Sequence, residues 1–446
     1  MAVADLSRAQ VALRLTPERA VRAAAAVGGA VTLWNALAYP WGAGYDSNAH
    51  RTYVDFLLAH HTLPDRSGSW EYYSPPLYYI VAALATWIGR HGGLGDPYKL
   101  VQLLNVPAVV GTILLVAAFS RVLWPRMRWA APAAAGFVAL LPVLQRTAAM
   151  LHPEPLDLLL CTAGAYLAAR ILVERRYGLR LALAAGLALG AAQMVRQFAL
   201  YTLGAVVVAW LVALGRRVED RRSLARAGAV ALVACVVVAG PWYGYRVHRY
   251  GNALFDRKPT SSKPLLERRP ASFYVDGGLP DLLSRPYRPH MRNLAWPQTY
   301  ADIWGDWYGA FSWRYAPGTP PSQGQRAWLV LQNVVGFVPT LLALGGWLVL
   351  LALGLRRRDG PLLLVALVPL GGLLGYLYFA VSNPTVDGDV LKPTFMLSTL
   401  WAWALCFGWA VARIGPRAPR LAWWTLAALA VLDGAFVVYR GALGFF

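Results

Sequence analysis

The sequence predicts an all-α integral membrane protein, on three observations. Its 446 residues are 57% hydrophobic and only 14% charged, where a soluble chain carries about 25% charge. The apolar residues gather into runs close to the roughly twenty residues a helix needs to cross a hydrocarbon core. The arginines cluster between those runs, as they do where positive charge fixes orientation in a membrane. Together these exclude a soluble enzyme, a disordered chain and a nucleic-acid module. The formal net charge of +20 is read as topological, and no nucleic-acid partner is expected.

Apolar segments fall at 21–40, 76–90, 100–120, 129–149, 154–173, 180–197, 199–214, 226–246, 327–354, 361–381, 395–412 and 421–440. The first lies among Arg8, Arg14, Arg19 and Arg22 and lacks a small-residue cleavage site, so it reads as a retained span with a cytoplasmic N-terminus. Further clusters are Arg121, Arg126 and Arg128; Arg175, Arg176 and Arg180; Arg216, Arg217, Arg221, Arg222 and Arg226; Arg356, Arg357 and Arg358; and Arg413, Arg417 and Arg420. If every cluster is cytoplasmic, the spans alternate from residue 100 onward, but the N-terminal group then conflicts with a crossing at 76–90. That segment is short for a span. The expectation is about eleven spans plus one dipping or interfacial segment; the alternative is about twelve with one violation of the charge rule. The chain is read as one polytopic unit, 1–446, with a first outer loop at 41–75 and a large one at 248–326. Cys161, Cys235 and Cys406 each sit in an apolar run and read as small buried hydrophobes.

Ionisable groups are costly near lipid, so those at outer helix ends are the functional candidates. Asp46 directly follows the first span. Asp46 or Ser47 can cap a helix running through Leu58, on which His50 lies one turn along the same face and Tyr53, Phe56 and Leu57 make an amphipathic stripe. Glu71-Tyr72-Tyr73-Ser74-Pro75-Pro76-Leu77-Tyr78-Tyr79 then starts the next helix, with Pro75 and Pro76 fixing its entry and Tyr78 and Tyr79 read as interfacial aromatics.

These motifs resemble the GT-C superfamily of membrane glycosyltransferases, in particular the branch with protein O-mannosyltransferases and lipid A aminoarabinose transferases. The likeness covers the whole chain in organisation and is specific in motif over the first hundred residues. It implies a GT-C fold and transfer of a sugar from a polyprenyl-phosphate carrier to an acceptor glycan, lipid or protein outside the membrane. Asp46 resembles the catalytic base, although the family's usual Asp-Glu pair is Asp46-Ser47 here. Glu71 resembles the acid before the proline pair, near the active site, binding sugar or orienting His50, with Tyr72 beside it. In His152-Pro153-Glu154-Pro155-Leu156-Asp157, Glu154 and Asp157 both match the family's acceptor-side acid. Lys392, in Leu391-Lys392-Pro393-Thr394, resembles the basic residue facing the lipid phosphate. Arg196, at an outer turn, and Arg292, in the large loop, are further phosphate candidates.

Bland readings stand beside each of these: Asp46 as a plain cap, Lys392 as a snorkelling lysine, Glu154 or Asp157 as a helix-start acid. The run Trp296 to Phe311, with Asp302 and Asp306, suits sugar stacking and hydroxyl contacts or interfacial packing equally. No obligatory cofactor is expected, and no His/Cys cluster marks a metal site; Asp46, His50 and Glu71 leave room for a divalent cation. The rival readings are a lipid or lipid-linked sugar transporter and a non-catalytic GT-C-like subunit. Arginine over lysine and abundant alanine suggest a GC-rich bacterium, hence a plasma-membrane protein with its site facing the periplasm or exterior.

Overall fold

In the computed structural model, the described residues are 16–42, 44–216, 219–254, 263–311, 313, 315–384 and 390–414. Among them the structure is helical, with one isolated bridge between Ala316 and Thr319. In chain order come α1 (Pro17–Ala38), α2 (Ser47–His60), α3 (Leu77–His91), α4 (Lys99–Leu103), α5 (Asn105–Leu123), α6 (Ala130–Ala139), α7 (Pro142–Ala149), α8 (Glu154–Glu174), α9 (Leu179–Val195), α10 (Leu200–Arg216) and α11 (Arg221–Tyr250). The large outer segment carries α12 (Ala271–Val275), α13 (Leu279–Ser284) and α14 (Ala295–Trp304). The long α15 (Gln323–Arg357), α16 (Gly360–Ser382) and a 3-10 turn, Pro393–Thr399, leading into α17 (Leu400–Ile414) follow.

Eight stretches are long and apolar enough to cross a membrane: α1, Lys99–Leu123, α8, Gln197–Arg216, α11, α15, α16 and Pro393–Ile414. The apolar α6 and α9 are shorter. The expected span at 421–440 lies outside the described residues. The expected single span at 129–149 is instead broken. Leu141 is extended between α6 and α7, and Pro142 opens α7. Gln145 donates to the freed Ala139 carbonyl at 2.8 Å and accepts from Thr32 at 2.8 Å. All of α7 is buried, Arg146 included. A backbone break at membrane depth is tolerated only where protein covers it.

The helices alternate between two chemically distinct ends. Arg121, Arg216, Arg356, Arg357 and Arg413 fall in the last turns of α5, α10, α15 and α17. Arg216 reaches the Arg358 carbonyl at 3.1 Å, and Arg175 pairs with Asp220 at 3.7 Å, so these clusters share one end. Asp46, Glu154, Arg196 and Lys392 lie at the other. Segment 76–90 stays on that second side. As α3 it packs along α2, and Arg90 in its last turn bonds Asp55 of α2 at 2.8 Å.

The site end is moored by buried amides. Gln102 donates to the Tyr39 and Ala149 carbonyls at 2.9 and 2.6 Å, and Asn105 donates to those of Ala148 and Met150 at 2.8 and 3.1 Å. One side chain thus satisfies the last carbonyls of both α1 and α7. Deeper in the bundle close approach requires glycine: a Cβ on Gly346 would overlap the Cys406 carbonyl, a small-residue contact that lets α15 and α17 touch.

Two outcomes follow. Gln102→Leu strands the buried Ala149 carbonyl, while Lys99 still donates to that of Tyr39 at 2.6 Å, and is expected to cost roughly 1–3 kcal/mol. Gly346→Ala is expected to cost about 1–3 kcal/mol through overpacking. Both are checked by thermal melting of the detergent-purified protein, and a melting temperature equal to wild type contradicts either one.

Candidate active site

The site is built where α2 begins. Asp46 adopts a left-handed backbone, φ 64°, at the N-cap position, yet its side chain makes no capping bond. The plain-cap reading therefore gives way to a different use. Both carboxylate oxygens accept from Lys392 Nζ, at 2.9 and 2.8 Å. Lys392 stands directly before the 3-10 turn, with its ammonium 5.2 Å from the Tyr45 ring centroid. Burial pushes the Asp46 carboxyl up, but the Lys392 ammonium outweighs it, and the value falls to about 2. The Asp46 side chain keeps 27% of its exposure, so this is the open end of the site.

Behind Asp46 lies a closed circuit of polar contacts. His50 is fully buried, and its Nδ1 meets the Tyr79 hydroxyl at 2.8 Å. Tyr79 donates to Glu71 at 3.5 Å, and Glu71 also accepts from Tyr73 at 3.1 Å and Ser74 at 2.5 Å. Arg196 Nη1 donates to Glu71 at 3.2 Å and to Ser74 at 2.8 Å, while its Nε donates to Glu154 at 2.7 Å. Glu154 pairs in turn with His152, whose ring meets His50 edge-on at 4.7 Å. Burial, with His152 and Arg196 nearby, holds His50 well below the usual imidazole value, so its ring is neutral at pH 7.

Local sequence explains each placement. Glu154 opens α8, where the positive end of the helix favours a carboxylate. Arg196 occupies an extended residue between α9 and the turn at 197–199, which frees its side chain to reach across. Pro75 and Pro76 hold Glu71 to Ser74 in a tight turn ahead of α3.

The structure brings Asp46, His50, Glu71, Glu154, Arg196 and Lys392 together. It separates the two acids of α8: Asp157 lies one turn deeper, buried beside Cys161, whose thiol donates to it at 3.7 Å. Tyr72 sits at the rim, accepting from Arg66 at 3.1 Å and meeting Tyr250 edge to face. Arg292 is half-buried in the loop before α14 and joins neither ion pair. Asp46, His50 and Glu71 are committed to different partners and do not converge as a ligand set; among the described residues no three His, Cys, Asp or Glu side chains do. Arg196 lies between two carboxylates and lines a small crevice with Tyr73, Phe198, Phe379 and Phe395.

Sequence reading missed Tyr79 and His152 as members of the circuit. Tyr79, read as interfacial, is fully buried and stacked on Tyr53 at 3.7 Å. The apolar positions of the α2 stripe were the available signal, since Tyr53 must face a partner helix.

No family model matches the sequence, and no curated protein does. Solved structures do match in fold. ArnT from Cupriavidus metallidurans, bound to undecaprenyl phosphate, superimposes with a TM-score of 0.50 at 16% identity, over 91% of this chain and 62% of that one. The oligosaccharyltransferase of Archaeoglobus fulgidus in its apo form superimposes with a TM-score of 0.55 at 13% identity, over 94% of this chain and 56% of that one. The oligosaccharyltransferase AglB from Archaeoglobus fulgidus, in complex with an inhibitory peptide and a dolichol-phosphate, gives 0.54 at 13% identity, over 94% of this chain and 56% of that one. The chain spans less than two thirds of the length of these proteins. At this identity the likeness is one of architecture, and with the helical bundle just described it identifies the chain as an all-α membrane protein of the GT-C fold.

Proposed function

We propose that the protein is an inverting glycosyltransferase, moving a monosaccharide from a polyprenyl-phosphate carrier to an acceptor on the non-cytoplasmic face. The observation that carries this reading is the Asp46–Lys392 contact at the open end of the site. The reaction needs both groups. An acceptor hydroxyl oxygen attacks the anomeric carbon, the bond from that carbon to the phosphate oxygen breaks, and the phosphate leaves with the electron pair. The hydroxyl proton passes to a base within hydrogen-bond reach. Asp46 is that base, and Lys392 is the cation that meets the phosphate. A single displacement inverts the anomeric centre.

The pairing makes the base conditional. While Lys392 grips Asp46, the carboxylate is held near 2 and takes up no proton at neutral pH. A phosphate competes for the ammonium, and once Lys392 turns to it, burial raises the proton affinity of Asp46. The Glu71–Arg196–Glu154 circuit fixes His50 and His152 beside this exchange.

An apolar cavity of about 370 Å³ opens at Pro393, next to Lys392, and is lined by Trp296, Tyr300, Trp304, Met396 and Trp403 among others. It suits the isoprenoid tail of a carrier whose phosphate rests at Lys392. Carriers of this kind occupy the similar structures: undecaprenyl phosphate in ArnT and a dolichol-phosphate in AglB. With the arginine-rich end cytoplasmic, the site faces the periplasm or exterior of a bacterial plasma membrane. The sugar is a hexose or a pentose, the acceptor a glycan, lipid or protein. No obligatory metal is proposed, since Asp46 and Glu71 each already hold a cationic side chain.

The test is transfer from a panel of radiolabelled polyprenyl-phosphate sugars by purified protein in the presence of EDTA. Asp46→Asn is expected to lower transfer by about 10²–10⁴-fold with the protein still folded by thermal melting. Equal transfer by wild type and variant overturns Asp46 as base, and flipping of labelled donor without transfer turns the reading to a transporter.

A second outcome concerns pH. Lys392 depresses the Asp46 value, so the carboxylate stays ionised until pH falls toward about 2, and it adds no acid limb to kcat/KM between pH 5 and 8. In Lys392→Met the largest opposition to burial is gone and only the smaller effects of His50 and His152 remain, so an acid limb is expected to move upward into that range. A pH–rate profile with the same acid limb as wild type contradicts the assignment.

A further inference from the structure

The exchange at Lys392 needs something that the ion pair alone does not supply. The ammonium sits on a flexible four-carbon stem, and fixing that stem costs rotamer entropy. While the ammonium bonds both oxygens of Asp46, at 2.9 and 2.8 Å, the carboxylate fixes it. Once it turns to a phosphate, Asp46 no longer does. A second group is then required that holds the ammonium without neutralising it and without occupying its donors. A second carboxylate would compete with the phosphate, and a carbonyl would take a donor. The face of an aromatic ring does neither, because it attracts a cation through its quadrupole.

Tyr45 presents such a face. The Lys392 ammonium lies 5.2 Å from its ring centroid, inside the range of about 6 Å over which a cation and a ring attract. The residue is half-buried and directly precedes Asp46 at the open end of the site. Its ring is held from several sides. Tyr308 packs against it with centroids 5.3 Å apart, and His152 meets it edge-on at 6.2 Å. Its hydroxyl is hydrogen-bonded to Thr394, two residues after Lys392 in the 3-10 turn. The backbone thus joins the ring to Asp46, and the hydroxyl joins it to the turn that carries the ammonium. Burial keeps the phenol well above its ordinary value, so the ring stays neutral near pH 7.

We propose that Tyr45 is the positioning residue of Lys392, its ring face holding the ammonium in place after the ammonium has left Asp46 for the phosphate. This deepens the glycosyltransferase reading and rests on it. Tyr45 acts through Lys392, and no bond forms or breaks on the ring. In the resting pair the carboxylate dominates the position of the ammonium and the ring adds little. Loss of the ring therefore weakens the phosphate-bound state more than the resting one, and only such a difference between states has a functional effect.

The experiment measures binding of undecaprenyl phosphate to the full-length, detergent-purified protein at pH 7. Tyr45→Leu is expected to weaken binding about tenfold, the size of one partly desolvated cation–ring contact. Tyr45→Phe keeps the ring and is expected to stay within about threefold of wild type. Tyr45→Phe carrying one, two or three ring fluorines keeps the shape but drains the negative face, and binding is expected to weaken with each fluorine. A residue that only fills space does not respond to fluorine in this way. In a Lys392→Met background the cation is gone, and Tyr45→Leu is expected to cost less than about twofold, as a double-mutant cycle reads it. A flat fluorine series, or an equal loss from Tyr45→Leu with and without Lys392, overturns the inference. If Tyr45→Leu does not fold, the nearly isosteric phenylalanine series decides alone. Failure of wild type to bind undecaprenyl phosphate overturns the polyprenyl-phosphate reading and this inference with it, whereas wild-type binding with a flat series overturns the role of Tyr45 only.

Discussion

The Lys392 ammonium and the Asp46 carboxylate join the exit of the first membrane helix to the entry of the last described one. Each charge is partly desolvated there, the Lys392 side chain more than that of Asp46, and each offsets that cost for the other. Together they hold the loop before α2 against the 3-10 turn that leads into α17. Asp46 takes a left-handed conformation there, a state that costs on the order of 1 kcal/mol for a residue with a Cβ. The contact returns something for that strain: the carboxylate points at Lys392 and away from the helix amides it would ordinarily cap. Position, ionisation and accessibility of the proposed base all follow from this one pair.

The second pair works by excess. Arg196 has two carboxylates, Glu71 and Glu154, each drawn from a different element, so one guanidinium fastens the turn before α3 to the start of α8. A planar fork with several fixed donors can do this where an ammonium would only attract. The carboxylate capacity left over is taken by Tyr73, Ser74, Tyr79 and His152. The two histidines are thereby held edge to face behind Asp46. Buried amides complete the platform, since Gln102 and Asn105 satisfy the carbonyls where α1 and α7 end.

Much of this was legible in the sequence, and the limit of legibility has a physical basis. Asp46, Glu71, Glu154, Arg196 and Lys392 stood out because charge is scarce in this chain and gathers at outer helix ends. Their pairing was not legible, because the residues joined lie up to 346 positions apart. Tyr79 misled because an aromatic near a helix start serves equally at a lipid interface and in a buried stack, and periodicity alone does not separate the two. The break between α6 and α7 was hidden for a related reason. Alanine, leucine and valine run through it, and only Pro142, Gln145 and Arg146 mark the place where the backbone needs protein cover in place of lipid.

The distribution of the chemistry answers to the membrane. Asp46 precedes α2, Glu154 opens α8, Arg196 stands between two helices, Lys392 leads the 3-10 turn, and Glu71 lies in a turn before α3. None is mid-helix. A helix interior in lipid satisfies its own backbone and rejects charge, so residues that must meet a phosphate and a hydroxyl belong at the ends, where backbone groups are already open to polar partners. The ends on the opposite side carry arginine. A protein that fixes its orientation with one set of ends therefore has only the other set for catalysis. Bringing the second set together across a wide bundle then requires long-range ion pairs such as Asp46–Lys392. On this view the charge pairing is the consequence of building a polar site from helix ends, and the GT-C fold supplies enough such ends on one face to do it.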